Sequence, residues 1–245
     1  MANRLLVHIK KIKNTFLTPR LYEFFINDKK NDNIIKSPSR ENFISKIFYK
    51  IFYFYPRLNE IHEWAQGNKG KYRNFEDFEN LESHDIFILY KILDLIRDKN
   101  SPILDLGCNQ GRHIKYLHQR GLKNIYGVDI MQSALDNFKK NYYDLYKQHT
   151  IECNLFERYF KKIQDNFFHI TYSFGATLEL VHPSFDIIMH LVRVTNKYIV
   201  LYINEDGHSF PRYYIYEFKK NNAHLIFYKK KENLIQESVM IFEKK

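Results

Sequence analysis

Apolar and polar positions follow two rhythms along the 245-residue chain. Up to about residue 98 the apolar positions recur at helical spacing with little strand-type punctuation, which predicts a helical N-terminal extension over 1–98. Ser37-Pro38 reads as an N-cap followed by proline at the first helical position. Ile44, Ile47, Phe48, Ile51, Phe52 and Tyr55 then fall on one stripe that Pro56 ends. An aromatic face of this kind needs cover, and packing against the rest of the chain is the plain expectation. The polar stretches 27–39 and 67–80 read as loops, the second with Lys69, Lys71 and Arg73 around Tyr72; 84–97 is again helical, and Pro102 marks a boundary.

Beyond residue 100 the rhythm alternates. Short apolar runs at 103–106, 124–129, 150–152, 167–173 and 198–204 are separated by helix-length segments, the signature of βα units on a parallel sheet. Two further strands, 224–228 and 238–243, are joined by the charged connection 229–237. The pattern predicts an α/β domain over 99–245: a doubly wound, mostly parallel seven-stranded sheet closed by a C-terminal antiparallel hairpin.

Composition narrows the setting. With 27% charged and 44% hydrophobic residues the chain has the balance of a folded domain. Cys108 and Cys153 are too few for a disulfide framework and form no zinc-type cluster, so reduced thiols and no structural metal are expected. Lys10 and Lys11 cut the first apolar run short of a secretory core, and no apolar stretch has the length of a membrane span, which predicts a cytoplasmic protein. The net charge of +10 suits a polyanionic partner, although a bias that adds lysine everywhere explains it more simply. Residues 1–22 hold no acidic side chain, and Arg4, Lys10, Lys11, Lys13 and Arg20 accompany Leu5, Leu6, Val7, Ile9, Ile12, Phe16 and Leu17. The segment suits peripheral contact with an anionic membrane surface; a basic solvated face on a packed helix accounts for the same residues and is preferred.

The chemistry concentrates in Asp105-Leu106-Gly107-Cys108-Asn109-Gln110-Gly111, which follows a buried-strand pattern and opens into a helix. A glycine loop lets backbone approach a ligand, but alone it is weak evidence. Asp129, 24 positions after Asp105 at the end of the second strand, sharpens it, because an acid there suits the hydroxyls of a ribose. A dinucleotide is a poor match: the second glycine of Gly-x-Gly-x-x-Gly is Asn109, and Asp105 would set a carboxylate near a pyrophosphate. A ligand with an ammonium, a ribose and no phosphate suits both acids.

On these residues, from Ser101 to Lys245, the sequence resembles the class I S-adenosylmethionine-dependent methyltransferases. The resemblance implies S-adenosylmethionine as cofactor, with Asp105, Gly107, Asn109 and Gly111 at its methionine and ribose portions, Asp129 on the ribose hydroxyls, Ile130 against adenine and Asn154 at the adenine amine. The stretch 168–175 is similar to the family's fourth strand, with His169 where an acid is common and Ser173 on the cofactor side. Past it, Leu178-Glu179-Leu180-Val181-His182-Pro183 looks like the family's loop, with Ser184 as N-cap of a helix over 185–196. His182 is the first candidate for a general base, with Glu179 and His208 behind it. No Asn/Asp-Pro-Pro-aromatic segment follows the fourth strand, which disfavours methylation of amino groups on bases and, with it, a nucleic-acid substrate. The implied acceptor is a small molecule, glycan or phosphorylated compound, by preference anionic and methylated on oxygen, and the aromatic N-terminal stripe is a candidate cap over it. An RNA methyltransferase, or a non-catalytic interaction protein on the same scaffold, stays open as an alternative.

Overall fold

A computed structural model describes residues 2–17, 80–175, 177–183, 185–206, 210–230 and 237–245. The aromatic stripe over 44–55, the loop at 27–39, the loop at 67–80 except its last residue, Ser184 and His208 lie outside the described residues.

Five strands, β1 (Ile103–Leu106), β2 (Ile125–Asp129), β3 (Thr150–Cys153), β4 (Phe168–Phe174) and β5 (Thr195–Asn204), run parallel in the spatial order β3-β2-β1-β4-β5. Two more, β6 (Ala223–Lys230) and β7 (Glu237–Lys244), form an antiparallel pair, and β7 lies between β5 and β6. All seven predicted strands are present within a few residues of their expected bounds. The switch in direction of winding falls between β1 and β4, and in open α/β sheets the ligand crevice lies there, outside the carboxyl ends of the strands.

Helices cover both faces. On one side α2 (Ser83–Leu95), α3 (Arg112–Gln119) and α4 (Gln132–Asn141) bury Ile88, Leu89, Ile92, Ile114, Leu117, Leu135 and Phe138 against Ile103, Ile125, Ile170 and Val200. The short α5 (Tyr143–Gln148) adds Leu145 and Tyr146 to that cluster. On the other side α6 (Phe156–Lys162), α7 (Ile187–Val194) and α8 (Tyr214–Lys220) bury Phe160, Ile187, Leu191 and Phe218 against Leu104, Leu106, Ile199 and Phe242. A strand buried on both faces reads as a continuous apolar run, which is why 103–106 was legible as one; period-two geometry then puts Asp105 on the same face as Ile103, toward α2 and α3. α2 belongs to the sheet's own core, although the sequence reads it as the end of the extension.

Two local expectations shift. The helix expected over 185–196 is shorter: the Asp186 carboxylate accepts from the Met189 N–H at 3.0 Å and starts α7 at Ile187. It ends at Val194 because Thr195, whose hydroxyl bonds the Leu191 carbonyl at 2.6 Å and Thr171 at 2.8 Å, opens β5 directly.

Near the N-terminus α1 (Ala2–Ile12) runs on as a π-helical turn over Lys13–Leu17. It docks through polar groups: Asn14 donates to the Pro211 carbonyl at 3.0 Å and Thr15 to Glu217 at 3.0 Å. His8 meets the Tyr213 hydroxyl at 2.6 Å, and Lys11 pairs with Asp206 at 2.6 Å. Among the described residues no helix is long and apolar enough to cross a membrane.

Candidate active site

A cavity of about 400 Å³ opens where the parallel strands end. Gly107, Cys108 and Asn109 line it beyond β1, Asp129 and Ile130 at and beyond the end of β2, Asn154 beyond β3, and Phe174 and Thr177 at and beyond the end of β4. Asp105, Gly111, Ser173 and Glu179 are not among the lining residues.

The glycine loop is built from left-handed backbone. Gly107 (φ 84°), Asn109 (φ 47°) and Gly111 (φ 77°) all sit at positive φ. At Gly107 a Cβ would also lie 2.6 Å from Thr177 Oγ1, and at Gly111 one would meet the Phe138 ring at 2.4 Å, so neither position admits a side chain. Asn109 holds the position a dinucleotide loop gives to glycine because asparagine, among residues with a side chain, tolerates this conformation best.

The loop's donors are already spent. The Gly107 and Cys108 N–H groups bond the Val128 carbonyl at 2.9 and 3.2 Å, Asn109 N–H bonds Asp129 Oδ2 at 2.9 Å, and Gly111 N–H bonds the Cys108 carbonyl at 2.9 Å. A pyrophosphate site needs such groups free to point at the anion. This loop instead fixes a carboxylate. Asp129 Oδ1 accepts from Met131 N–H at 2.9 Å, so each oxygen of Asp129 is held by one backbone donor and keeps lone-pair capacity toward the cavity.

Both acids are buried, at 1% exposure for Asp105 and 8% for Asp129. Burial pushes the Asp105 carboxyl up to about 8; the Tyr172 hydroxyl pulls it down, the Asp129 charge pushes it further up and Arg112 opposes. Asp105 Oδ2 nevertheless has no hydrogen-bond partner. Burial also raises Asp129, against the pull of the Met131, Asn109 and Ile130 N–H groups. A cationic ligand bearing hydroxyl donors relieves both costs; an anionic one adds to them. The orphaned carboxylate oxygen, the two unsubstituted glycine positions and the absence of free loop donors at these four positions therefore fit S-adenosylmethionine, with its ammonium, sulfonium and ribose.

At β3 the Asn154 amide nitrogen donates to Glu152 at 2.5 Å, which turns the amide oxygen toward other donors. Ser173 is 2% exposed and its hydroxyl donates to the Leu106 carbonyl at 2.9 Å, tying β4 to β1. His169 is half-buried, its ring edge-on to Tyr198 at 6.1 Å. Burial and the carboxylates of Asp105 and Asp129 push the Cys108 thiol up, so it is no ready nucleophile.

On the other wall His182 lines the cavity at 4% exposure, its ring edge-on to Phe210 at 5.0 Å. Glu179, fully buried on a short 3₁₀ turn (Leu178–Leu180), accepts from Asn204 N–H at 2.6 Å and is turned into the structure. Among the lining residues that escape the sequence reading are His84, Asp85, Arg112, His113 and Tyr202. Asp85 is 1% exposed and lies 3.1 Å from Arg112, 3.4 Å from His113 Nε2 and 3.6 Å from His84 Nε2. Burial alone would raise its carboxyl, but His113, Arg112 and the Glu82 N–H hold it below the usual carboxylate range. Burial lowers His113 although Asp85 pulls it the other way. The one sequence signal was the Glu82-x-x-Asp85 spacing, a capping box at the start of α2.

With this geometry in hand, residues 103–197 match the family model described as a methyltransferase domain. No curated protein matches the chain by sequence. Among solved structures, magnesium protoporphyrin IX methyltransferase from Synechocystis PCC 6803, with bound S-adenosylmethionine, superposes with a TM-score of 0.55 at 12% identity, over 85% of this chain and 100% of that one. A TehB-like S-adenosylmethionine-dependent methyltransferase from Corynebacterium glutamicum gives 0.51 at 18% identity, over 64% of this chain and 88% of that one. A geranyl diphosphate methyltransferase in complex with S-adenosylmethionine gives 0.52 at 10% identity, over 66% and 85%. At these identities the structural likeness speaks for the fold, and the family match for the domain. Residues 103–197 form a methyltransferase domain, on the fold that these S-adenosylmethionine-dependent methyltransferases share.

Proposed function

We propose that this methyltransferase acts on a hydroxyl of a small-molecule, glycan or phosphorylated acceptor, and that Asp129 is the anchor of its cofactor. The observation that carries the assignment is the Asp129 carboxylate, held by two backbone N–H groups at 2.9 Å and lining the cavity beside the glycine loop. In this reading Asp129 receives the ribose hydroxyls, Asp105 faces the ammonium from behind the loop, and Gly107, Asn109 and Gly111 shape the methionine and ribose portions. Ile130 packs on the adenine, and Asn154 meets its amine through the amide oxygen. Ser173 acts at one remove, by holding β4 against β1.

S-adenosylmethionine, when bound, supplies an electrophilic methyl group on a sulfonium. Positive charge disappears as the new bond forms, so the chain's main task is to align the acceptor and exclude water. Leu155, Phe156, Phe174, Leu180 and Val181 give the cavity apolar walls for that purpose. His182 takes the hydroxyl proton, and Glu179 positions its loop through Asn204 rather than touching the acceptor. Arg112, which lines the cavity, is the cation that an anionic group in the acceptor would meet. The N-terminal extension 1–98 serves as an acceptor-site cap: α1 and the turn after it are docked on Asp206, Pro211, Tyr213 and Glu217, beside Phe210, whose ring touches His182.

Calorimetry with S-adenosylhomocysteine tests the anchor. Loss of two charge-assisted hydrogen bonds in Asp129→Ala should cost about 3 kcal/mol, roughly a hundredfold in Kd. Unchanged affinity would remove the ribose assignment.

A further inference from the structure

An amphipathic helix of a globular protein ordinarily docks through its apolar side. α1 does the reverse. His8, Lys11, Asn14 and Thr15 make the contacts with Tyr213, Asp206, Pro211 and Glu217, while Leu5 (63%), Leu6 (53%), Ile9 (52%) and Ile12 (41%) face outward. At 3.6 residues per turn these four span an arc of about 120°. Leu17 is 49% exposed at the end of the π-helical turn. The apolar surface continues onto α8, where Phe16 meets Tyr216 at 5.2 Å and Ile215 and Tyr216 are 42% and 49% exposed.

The surroundings of this patch are basic. Arg4 and Lys10 are exposed on α1, and Lys219 and Lys220 are exposed one turn beyond Ile215 and Tyr216 on the same faces of α8. No acidic side chain occurs in residues 1–22, and the one acid in α8, Glu217, is turned inward to Thr15 and Arg212.

We propose that the outward face of α1, extended by Ile215 and Tyr216, is an interfacial anchor that lies on the surface of an anionic lipid bilayer. Apolar side chains rimmed by lysine and arginine, with no acid among them, combine the two terms that hold a helix in the headgroup plane: burial of apolar area and attraction to anionic lipid. A tyrosine at the margin suits the same boundary. Polyanion binding in solution would use the rim and leave the leucines and isoleucines unexplained. The polar docking of α1 also has a purpose here, since it fixes the helix to the domain without consuming the apolar face. This inference stands apart from the cofactor and acceptor assignments, because none of its residues lines the cavity.

Flotation of the full chain with vesicles tests it. The protein should float with vesicles of two parts phosphatidylcholine to one of phosphatidylglycerol, hardly at all with phosphatidylcholine alone, and less as salt is added. Leu5→Glu combined with Ile9→Glu should lower the partition at least about tenfold with no fall in Tm, since both side chains are solvent-facing without lipid. Arg4→Glu combined with Lys10→Glu should abolish the preference for the anionic vesicles. Absence of flotation, equal flotation with both vesicles, or full retention by the Leu5/Ile9 variant would overturn the proposal. A fall in Tm of that variant, or its conversion from dimer to monomer in sedimentation, would show that the face is covered by this chain or by a second copy, and would overturn it too.

Discussion

Asp105 stands on a strand position where a carboxylate is expensive. Its carboxyl is pushed up to about 8, whereas an unfolded chain would hold it near 3.8, so the ligand-free fold binds a proton there that the unfolded chain releases. The stability this proton contributes is fully present below pH 3.8 and is lost as the pH rises through about 8. On the proposed assignment the cofactor's ammonium takes the proton's place. Binding of S-adenosylhomocysteine near pH 7 should therefore release up to one proton, read as a dependence of the calorimetric heat on buffer ionisation enthalpy, and its affinity should rise toward pH 8. Asp105→Asn should show neither effect; an unchanged proton release in that variant would place the titration elsewhere. The acids were legible in the sequence because each is set by its own strand and the turn after it. His84, Asp85, Arg112 and Tyr202 were not, since they come from α2, α3 and β5 and meet at the cavity only through long-range packing.

The elements divide in the same way. Strands buried on both faces announce themselves as apolar runs, which is why β1, β2 and β4 could be read with little error, and the β6–β7 pair stood out by its lack of a long intervening segment. Boundaries were harder where two residues compete for one role. Ser184 and Asp186 are both good N-caps, and only the observed bond from Met189 N–H decides for Asp186. The face that a helix turns inward was hardest of all: the apolar side of α1 invites burial, and the docking falls to Asn14 and Thr15 instead. α2 behaves ordinarily, with Ile92 fully buried and Asp94 exposed on the same helix. Ile92→Ala should cost about 3 kcal/mol and lower Tm by roughly 6–12 °C, while Asp94→Ala changes it little, as a thermal melt would read. Equal effects would mean that α2 is not part of the sheet's core.

For the whole molecule the site is a stability device as well as a chemical one. Two buried carboxylates and a set of left-handed loop residues weigh on the ligand-free fold, and a cofactor that binds only the native state repays them through mass action. At a hundred times its Kd, S-adenosylhomocysteine should add about 2.7 kcal/mol and raise Tm by roughly 5–10 °C. A melt unmoved by saturating ligand would contradict native-state binding at this site.

The interior place of β7 bears on how the chain acquires its structure during synthesis. β5 and β6 precede it on the chain, yet each finds its antiparallel neighbour in residues 237–244. While the ribosome has delivered only the first 230 residues, β5 has one side of its hydrogen-bonding edge unpaired and β6 has no strand to join. At about 5–20 residues per second that interval is brief, but a pause within it would hold an apolar, pairing-competent edge open to other nascent chains. Completion of the sheet is thus coupled to the arrival of one late segment, and a reading-frame error or cleavage before residue 237 would leave β5 as an open edge and β6 with no strand to join.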